Sequence, residues 1–459
     1  MFILTTWAKP DWPSDTGIMA EAGIVMDMDS GAILYGQNIH LTYPPASITK
    51  ILTALIVLEN CNLDDTVTFS TTAVNQVEAD SGNKISVVAG DQLSVEDCLY
   101  SMLLVSCNQA ANALAEHTAG SISAFVDMMN EKLAELGCQE SHFENPSGLN
   151  GDNQYVSAYD MALIAQAAYD NETLVEISSA TTHRIAPTTQ NPDGFTIRGE
   201  HRLCVTEDPS SPYYYPEAIA GKTGYLIKAG NTLVTYAVKD NRRLVSVILK
   251  GQPRQYFVDG KALLEFGFRS FQHYTVADYE SRYVTGNETI NLDKGSFQAS
   301  DLMIDPDSVI TLPNSASFED ADITLGALPE ISPDNAVALL TYSYNDRTIG
   351  TAYLLAKDGV TIDGNDSAAE AATTAFDTAN AEAPLATASN AEKPQRPHKH
   401  ISVAGVLITI LIVLLVLGVI GLISWFIYSK KKEAKALATG NEPVPLPFVE
   451  YIMSVATPA

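Results

Sequence analysis

The chain has 459 residues, 46% of them hydrophobic, which is ample for a large core and for two or three domains. Its formal net charge of −28 excludes nucleic acid as a partner, because phosphate binding needs clustered Lys and Arg, and it disfavours adhesion to anionic lipid. The five cysteines are odd in number and lack Cys-x-x-Cys spacing, and the eight histidines include no His-Glu-x-x-His, so buried free thiols are expected, with no disulfide framework, metal site or cofactor.

Residues 1–19 open on Met1-Phe2-Ile3-Leu4-Thr5-Thr6-Trp7-Ala8, too short an apolar stretch for an export signal and without a basic start. They read as a truncated leader, unless the apolar span near the other end directs insertion by itself. A hairpin is predicted from Gly23 to Met28 and Ala32 to Tyr35 around Asp29-Ser30-Gly31. Helical periodicity then dominates from Ser47 to about Ala168, including Ser94 to Val105, Asn108 to Thr118 and Ser123 to Leu136. At the start of this region Ser47-Ile48-Thr49-Lys50 stands between Pro44-Pro45-Ala46 and the apolar run Ile51, Leu52, Leu55, Ile56, Leu58. Residues three apart on a helix lie about 5–6 Å apart at Cβ, close enough for an amine to take the proton of a serine hydroxyl. The apolar run implies burial, and burial lowers a lysine pKa, so Lys50 is the candidate base for Ser47. Ser106-Cys107-Asn108 closes the apolar stretch Leu99 to Val105, and Lys222-Thr223-Gly224 opens a region of strands. Leu233 to Val238 and Leu244 to Leu249 alternate about Asp240-Asn241 as two of them.

Residues 273–357 contain short β-patterned runs, Glu288 to Leu292, Val309 to Leu312, Ala336 to Tyr344 and Thr348 to Ala356, the last two flanking the turn signal Asn345-Asp346. With no cluster of acid, base or nucleophile, they are expected to form a small β-domain. Residues 358–400 are rich in Ala, Thr, Asn, Asp and Glu and poor in large apolar side chains, the composition of a disordered linker. Val403 to Tyr428 carries no charge and is long enough to cross a hydrocarbon core of about 30 Å. Lys430-Lys431-Lys432 follow, which predicts a transmembrane helix over 401–428, a cytoplasmic tail over 429–459, and everything before it outside the cell membrane.

Taken together and in this order, Ser-x-x-Lys, Ser-x-Asn and Lys-Thr-Gly are the three-part signature of the serine penicillin-binding proteins and β-lactamases. With Pro44 to Lys50, Asn145-Pro146-Ser147-Gly148-Leu149, Gly221-Lys222-Thr223-Gly224 and Ala229-Gly230-Asn231-Thr232-Leu233, the chain resembles the D-alanyl-D-alanine carboxypeptidases, the low-molecular-mass penicillin-binding proteins, from residue 20 to about 360. The resemblance implies an α/β (α+β) fold of the penicillin-recognising type, an antiparallel sheet covered by helices, in a catalytic domain over 20–272. The substrate implied is a peptidoglycan stem peptide ending in D-Ala-D-Ala, with β-lactam antibiotics as inhibitors. Ser47 would attack the penultimate D-alanine carbonyl and Lys50 accept its proton. Ser106 would relay a proton to the leaving amine. Asn108 would meet the substrate amide or Lys50, while Lys222 and Thr223 would hold the terminal carboxylate and Gly224 let the strand approach. By resemblance the oxyanion hole uses the backbone N–H groups of Ser47 and Tyr225. Cys107 and Tyr225 depart from what many relatives carry, without removing a catalytic atom. Arg198, Arg202 and Arg254 are further candidates for the carboxylate, equally readable as solvated surface residues. Two alternatives compete: a serine β-lactamase-like hydrolase, disfavoured because no Glu-x-x-x-Asn stands between residues 140 and 222, and an inactive peptidoglycan-binding membrane protein, for which a broken motif would speak.

Overall fold

The computed structural model describes residues 9–78, 81–329 and 331–362. A five-stranded antiparallel sheet is built from both ends of the catalytic region: β1 (Ala22–Asp27), β2 (Ile33–Gln37), β3 (Ala218–Leu226), β4 (Gly230–Lys239) and β5 (Arg242–Gly251), in the order β2-β1-β5-β4-β3. Its central strands are apolar on both faces because both faces are covered. Ile24, Met26, Val245 and Val247 face the large helical core, whereas Val25, Leu244 and Ile248 face the helix Gln255–Ser270, the two-residue alternation of a strand.

The helical middle surrounds α1 (Lys50–Asn60), which is buried continuously from Lys50 to Val57, the pattern of a helix enclosed on all sides. Around it lie α2 (Val95–Leu104), α3 (Asn108–Ala119), α4 (Ile122–Glu135) and α5 (Ala158–Tyr169). Serines 94, 121 and 157 cap α2, α4 and α5 through their hydroxyls. Two strands of three residues, Thr66–Thr68 and Gln92–Ser94, interrupt this region and are too short to register as a period in the sequence.

Three boundaries differ from expectation. β1 ends at Asp27, one residue early, because the Asp27 carboxylate accepts the backbone N–H groups of Asp29 and Ser30 and turns the chain. β2 consequently begins at Ile33 and runs on to Gln37. β3 begins at Ala218, so Lys222-Thr223-Gly224 lies inside a strand, whose opening residues Ala218, Ala220 and Gly221 are small and carry little strand signal around the lone Ile219.

Residues 271–362 form a second core around Phe297, Leu312, Leu340, Tyr342 and Leu354. It holds a four-stranded sheet, in the order Leu302–Ile304, Arg347–Ala356, Ala336–Tyr344 and Asp322–Gly326, and a two-stranded ladder of Phe271–Thr275 with Val309–Pro313. Asn345 and Asp346 both adopt positive φ in the turn that joins the two long strands. Among the described residues no helix is long and apolar enough to cross a membrane; the stretch 403–428 and the linker and tail around it lie outside the described residues.

Candidate active site

Ser47 sits in the 3-10 turn Ala46–Thr49 that leads directly into α1, of which Lys50 is the first residue. Ala46 enters this turn with φ +51°, a conformation that alanine adopts only under constraint. The constraint is visible: the Thr49 hydroxyl donates to the Ala46 carbonyl at 2.9 Å, and Gly148 lies so close to that carbonyl that no Cβ would fit. On the other side, a Cβ at Gly224 would stand 2.8 Å from the Ser47 nitrogen. The Ser47 backbone is thus gripped between the Asn145–Leu149 loop and β3.

Lys50 is fully buried, and all of its donors are engaged. Its Nζ donates to Ser47 Oγ at 2.9 Å, to Asn108 Oδ1 at 2.7 Å and to the backbone carbonyl of Ser147. Burial holds the Lys50 amine well below the ordinary lysine range, and the charge of Lys222 pushes it further down. Asn108 begins α3 and is itself buried, which fixes the amide that meets Lys50. Ser106, half-buried, has φ +61°, and its hydroxyl makes no hydrogen bond among the described residues. Cys107 between them is buried, and desolvation pushes its thiol up to about 11, so it is not a nucleophile near neutral pH.

β3 is an edge strand of the main sheet, so backbone groups on its outer side have no ladder partner. Register places Lys222 opposite Val234, Thr223 opposite Leu233, Gly224 opposite Thr232 and Tyr225 opposite Asn231. Lys222 is buried, its Nζ donating to the Thr223 carbonyl at 2.8 Å, and burial pulls its amine down to about 8. Tyr225 is 62% exposed at the rim. Behind β3, buried His201 stands against Gly221, bonded to the Val234 carbonyl at 3.1 Å and to Cys204 Sγ at 3.2 Å, and desolvation pushes its imidazole down to about 4.

The structure therefore brings Ser47, Lys50 and Asn108 into direct contact and sets Lys222, Thr223 and Gly224 on the adjoining strand. Arg198, Arg202 and Arg254 are exposed and form no hydrogen bond or ion pair with these residues among the described ones; Arg202 instead lies 5.0 Å over the Tyr213 ring. Sequence reasoning did not anticipate three neighbours of these residues: the Ser147 carbonyl, His201, and the Lys84–Glu200 pair. Only the first had a signal, the Asn-Pro-Ser-Gly turn. The described cysteines are free. Among the described residues the one cluster with metal-ligand character, Asp27, Asp29 and His273, is bonded to Arg242 and Arg243 and is an ion-pair network.

A family model described as D-alanyl-D-alanine carboxypeptidase, Peptidase S11, matches residues 9–252. A D-alanyl-D-alanine carboxypeptidase of Mycobacterium tuberculosis is 35% identical over 265 residues, covering 56% of this chain and 84% of its own. One from Haemophilus influenzae is 30% identical over 357 residues, covering 73% of this chain and 84% of its own. The crystal structure of penicillin binding protein 6B from Escherichia coli superposes with a TM-score of 0.56 at 23% identity, over 76% of this chain and 98% of that one, a likeness of fold.

Proposed function

The chain belongs to the D-alanyl-D-alanine carboxypeptidase family, and from that premise we propose how its own residues carry the reaction. It is a serine-type peptidase of cell-wall metabolism that acts on peptidoglycan ends of the D-Ala-D-Ala type. Ser47 Oγ adds to the carbonyl carbon of the penultimate D-alanine while its proton passes to Lys50 Nζ along the 2.9 Å contact. Neutral Lys50 has one lone pair and two hydrogens, and the Asn108 and Ser147 oxygens are placed to hold those hydrogens so that the lone pair faces Ser47. The backbone N–H groups of Ser47 and Tyr225 receive the oxyanion, a contribution of about 3–4 kcal/mol. As the C–N bond breaks, the leaving amine takes a proton from Lys50 by way of the unpartnered Ser106 hydroxyl. Free D-alanine departs, and water hydrolyses the ester by the same proton route in reverse. Lys222 and Thr223 meet the terminal carboxylate.

The observation that carries this reading is a fully buried, charge-suppressed lysine in hydrogen-bond contact with a serine on a strained turn. A fluorescent penicillin incubated with the chain tests it. One covalent adduct, mapped to the peptide containing Ser47, is expected, because the opened β-lactam keeps its leaving group tethered and the acyl-enzyme persists. Stoichiometric labelling of Ser47→Ala would overturn the assignment.

The remaining organisation rests on composition. Residues 20–272 form the catalytic unit, 273–357 a small β-domain and 358–400 a tether. Val403 to Tyr428, followed by three lysines, anchors the chain in the cell membrane as a single span with the catalytic unit outside. Protease added to intact cells should cut within 358–400 and spare a tag placed after Lys432. Loss of that tag would reverse the topology.

A further inference from the structure

Two charges at the mouth of the site have no part in the reaction above. Glu200 precedes the short helix Arg202–Val205, and its backbone N–H donates to the Leu104 carbonyl at 3.1 Å, which places it at the end of α2 near Ser106. It lines a narrow cleft together with His201, Gly221 and Thr223. From the segment that follows residue 80 comes Lys84, whose ammonium lies 3.2 Å from Glu200 Oε1. That segment is held in place because Gln109, next to Asn108, donates to the Gly82 carbonyl at 3.1 Å. Both side chains are close to half exposed, 45% and 44%, so the pair contributes little to stability. What distinguishes it is its neighbour. The charge of Glu200 supports the buried Lys222 ammonium, and the charge of Lys84 opposes it.

We propose that Lys84 and Glu200 are a specificity-determining pair: Glu200 keeps Lys222 charged, and Lys84 screens Glu200 from the incoming substrate, so that the site accepts a single carboxylate beside the scissile amide. The inference rests on the reading of Lys222 as the group that meets that carboxylate. Without Lys84, Glu200 would repel the substrate anion and compete with it for Lys222. Without Glu200, the Lys222 ammonium would lose its counterion and hold its proton less well. The other titratable groups around Lys222 do not supply these charges. His201 is neutral, the Cys107 thiol and the Tyr256 hydroxyl hold their protons, pushed up by burial to about 11 and about 12, and Arg202, 5.0 Å over the Tyr213 ring, keeps its charge but forms no ion pair with Glu200 among the described residues. Lys50 must be neutral to act.

The test is the pH dependence of D-alanine release from a diacyl peptide ending in D-Ala-D-Ala, measured on the full-length chain and on Glu200→Gln, Lys84→Gln and the double variant. Glu200→Gln should move the alkaline limb to lower pH. Lys84→Gln should move it to higher pH and raise KM by about fivefold, the weight of one unit charge a few ångströms away in water, with kcat retained. The double variant should return both quantities toward those of the parent. A shift of the two single variants in the same direction, or no shift in either, overturns the inference while leaving the reaction at Ser47 intact. Failure of the parent chain to form an acyl-enzyme at Ser47 would overturn the reading of the site and this inference with it.

Discussion

In the proposed reaction Lys50 and Lys222 are two buried amines with opposite duties, and their surroundings separate them. Both are lowered by burial, and Lys50 has in addition Lys222 as a neighbouring cation, while Lys222 has Glu200 in its support. A base must be deprotonated and a carboxylate anchor must be charged. Acylation by a β-lactam should therefore rise with pH as Lys50 loses its proton and fall above about 8 as Lys222 loses its own. Stopped-flow acylation rates across pH check this bell, and a rate still rising well above that limit would contradict the division of labour. Lys50→Arg keeps a cation but cannot supply a lone pair, so D-alanine release should drop by about 10²–10⁴-fold. Retention of about a tenth of parental release would remove Lys50 from the role of base.

At the scale of elements, the site depends on how closely β3 and the Asn145–Leu149 loop approach the turn before α1. Gly224 is where β3 presses on that turn, and the methyl group of Gly224→Ala would meet Thr232 Oγ1 and, at 2.8 Å, the Ser47 nitrogen. The strand or the turn must shift by a fraction of an ångström, which displaces an oxyanion donor. Acylation should slow by about 10²-fold while the circular dichroism spectrum stays that of the parent, since the rest of the strand retains its ladder with β4. The positive φ of Ala46 and Ser106 belongs to the same logic. Strain at residues flanking the reacting groups persists because neighbouring hydrogen bonds and packing over-determine the backbone there.

Across the whole described molecule, the two cores are joined by a buried ionic knot at one end of the main sheet. Asp27 is fully buried; its Oδ2 lies 2.7 Å from His273 Nε2 and 3.3 Å from Arg242 Nη2, and beside it Ser30 Oγ meets Thr311 Oγ1 at 2.7 Å. Trp12 adds a clasp: its indole donates to the Leu34 carbonyl at 2.8 Å, while its ring packs on Phe271 and Tyr344. Burial disfavours the Asp27 charge, yet the hydrogen bond from His273 and the charges of His273 and Arg242 outweigh it and hold the carboxyl below the usual range. A carboxyl with a depressed folded value stabilises the fold fully above its unfolded value of 3.8 and loses that contribution as pH falls through the folded value. Asp27→Asn leaves Arg242 without its counterion and should lower the unfolding free energy at neutral pH by about 3–5 kcal/mol in urea titrations. The penalty should shrink as pH falls from the unfolded value toward the lower folded value, below which the parent carboxyl is protonated too.

The sequence by itself determined whatever is local or compositional. Ser47 and Lys50 meet because three residues of helix bring them together, and the apolar run after them announces the burial that lowers the lysine pKa. The order of the three motifs identifies the family, and the charge-free run from Val403 to Tyr428 followed by lysines is legible without coordinates. Only the tertiary structure decided which distant groups complete the site. Asn108 reaches Lys50 across 58 positions and the Ser147 carbonyl across 97, and Lys84 meets Glu200 across 116. Backbone carbonyls carry no signature in a residue string, and surface Lys and Glu residues look alike wherever they stand. Such contacts follow from sheet order and loop closure, which depend on how both faces of the sheet are covered at once and not on any short stretch of chain.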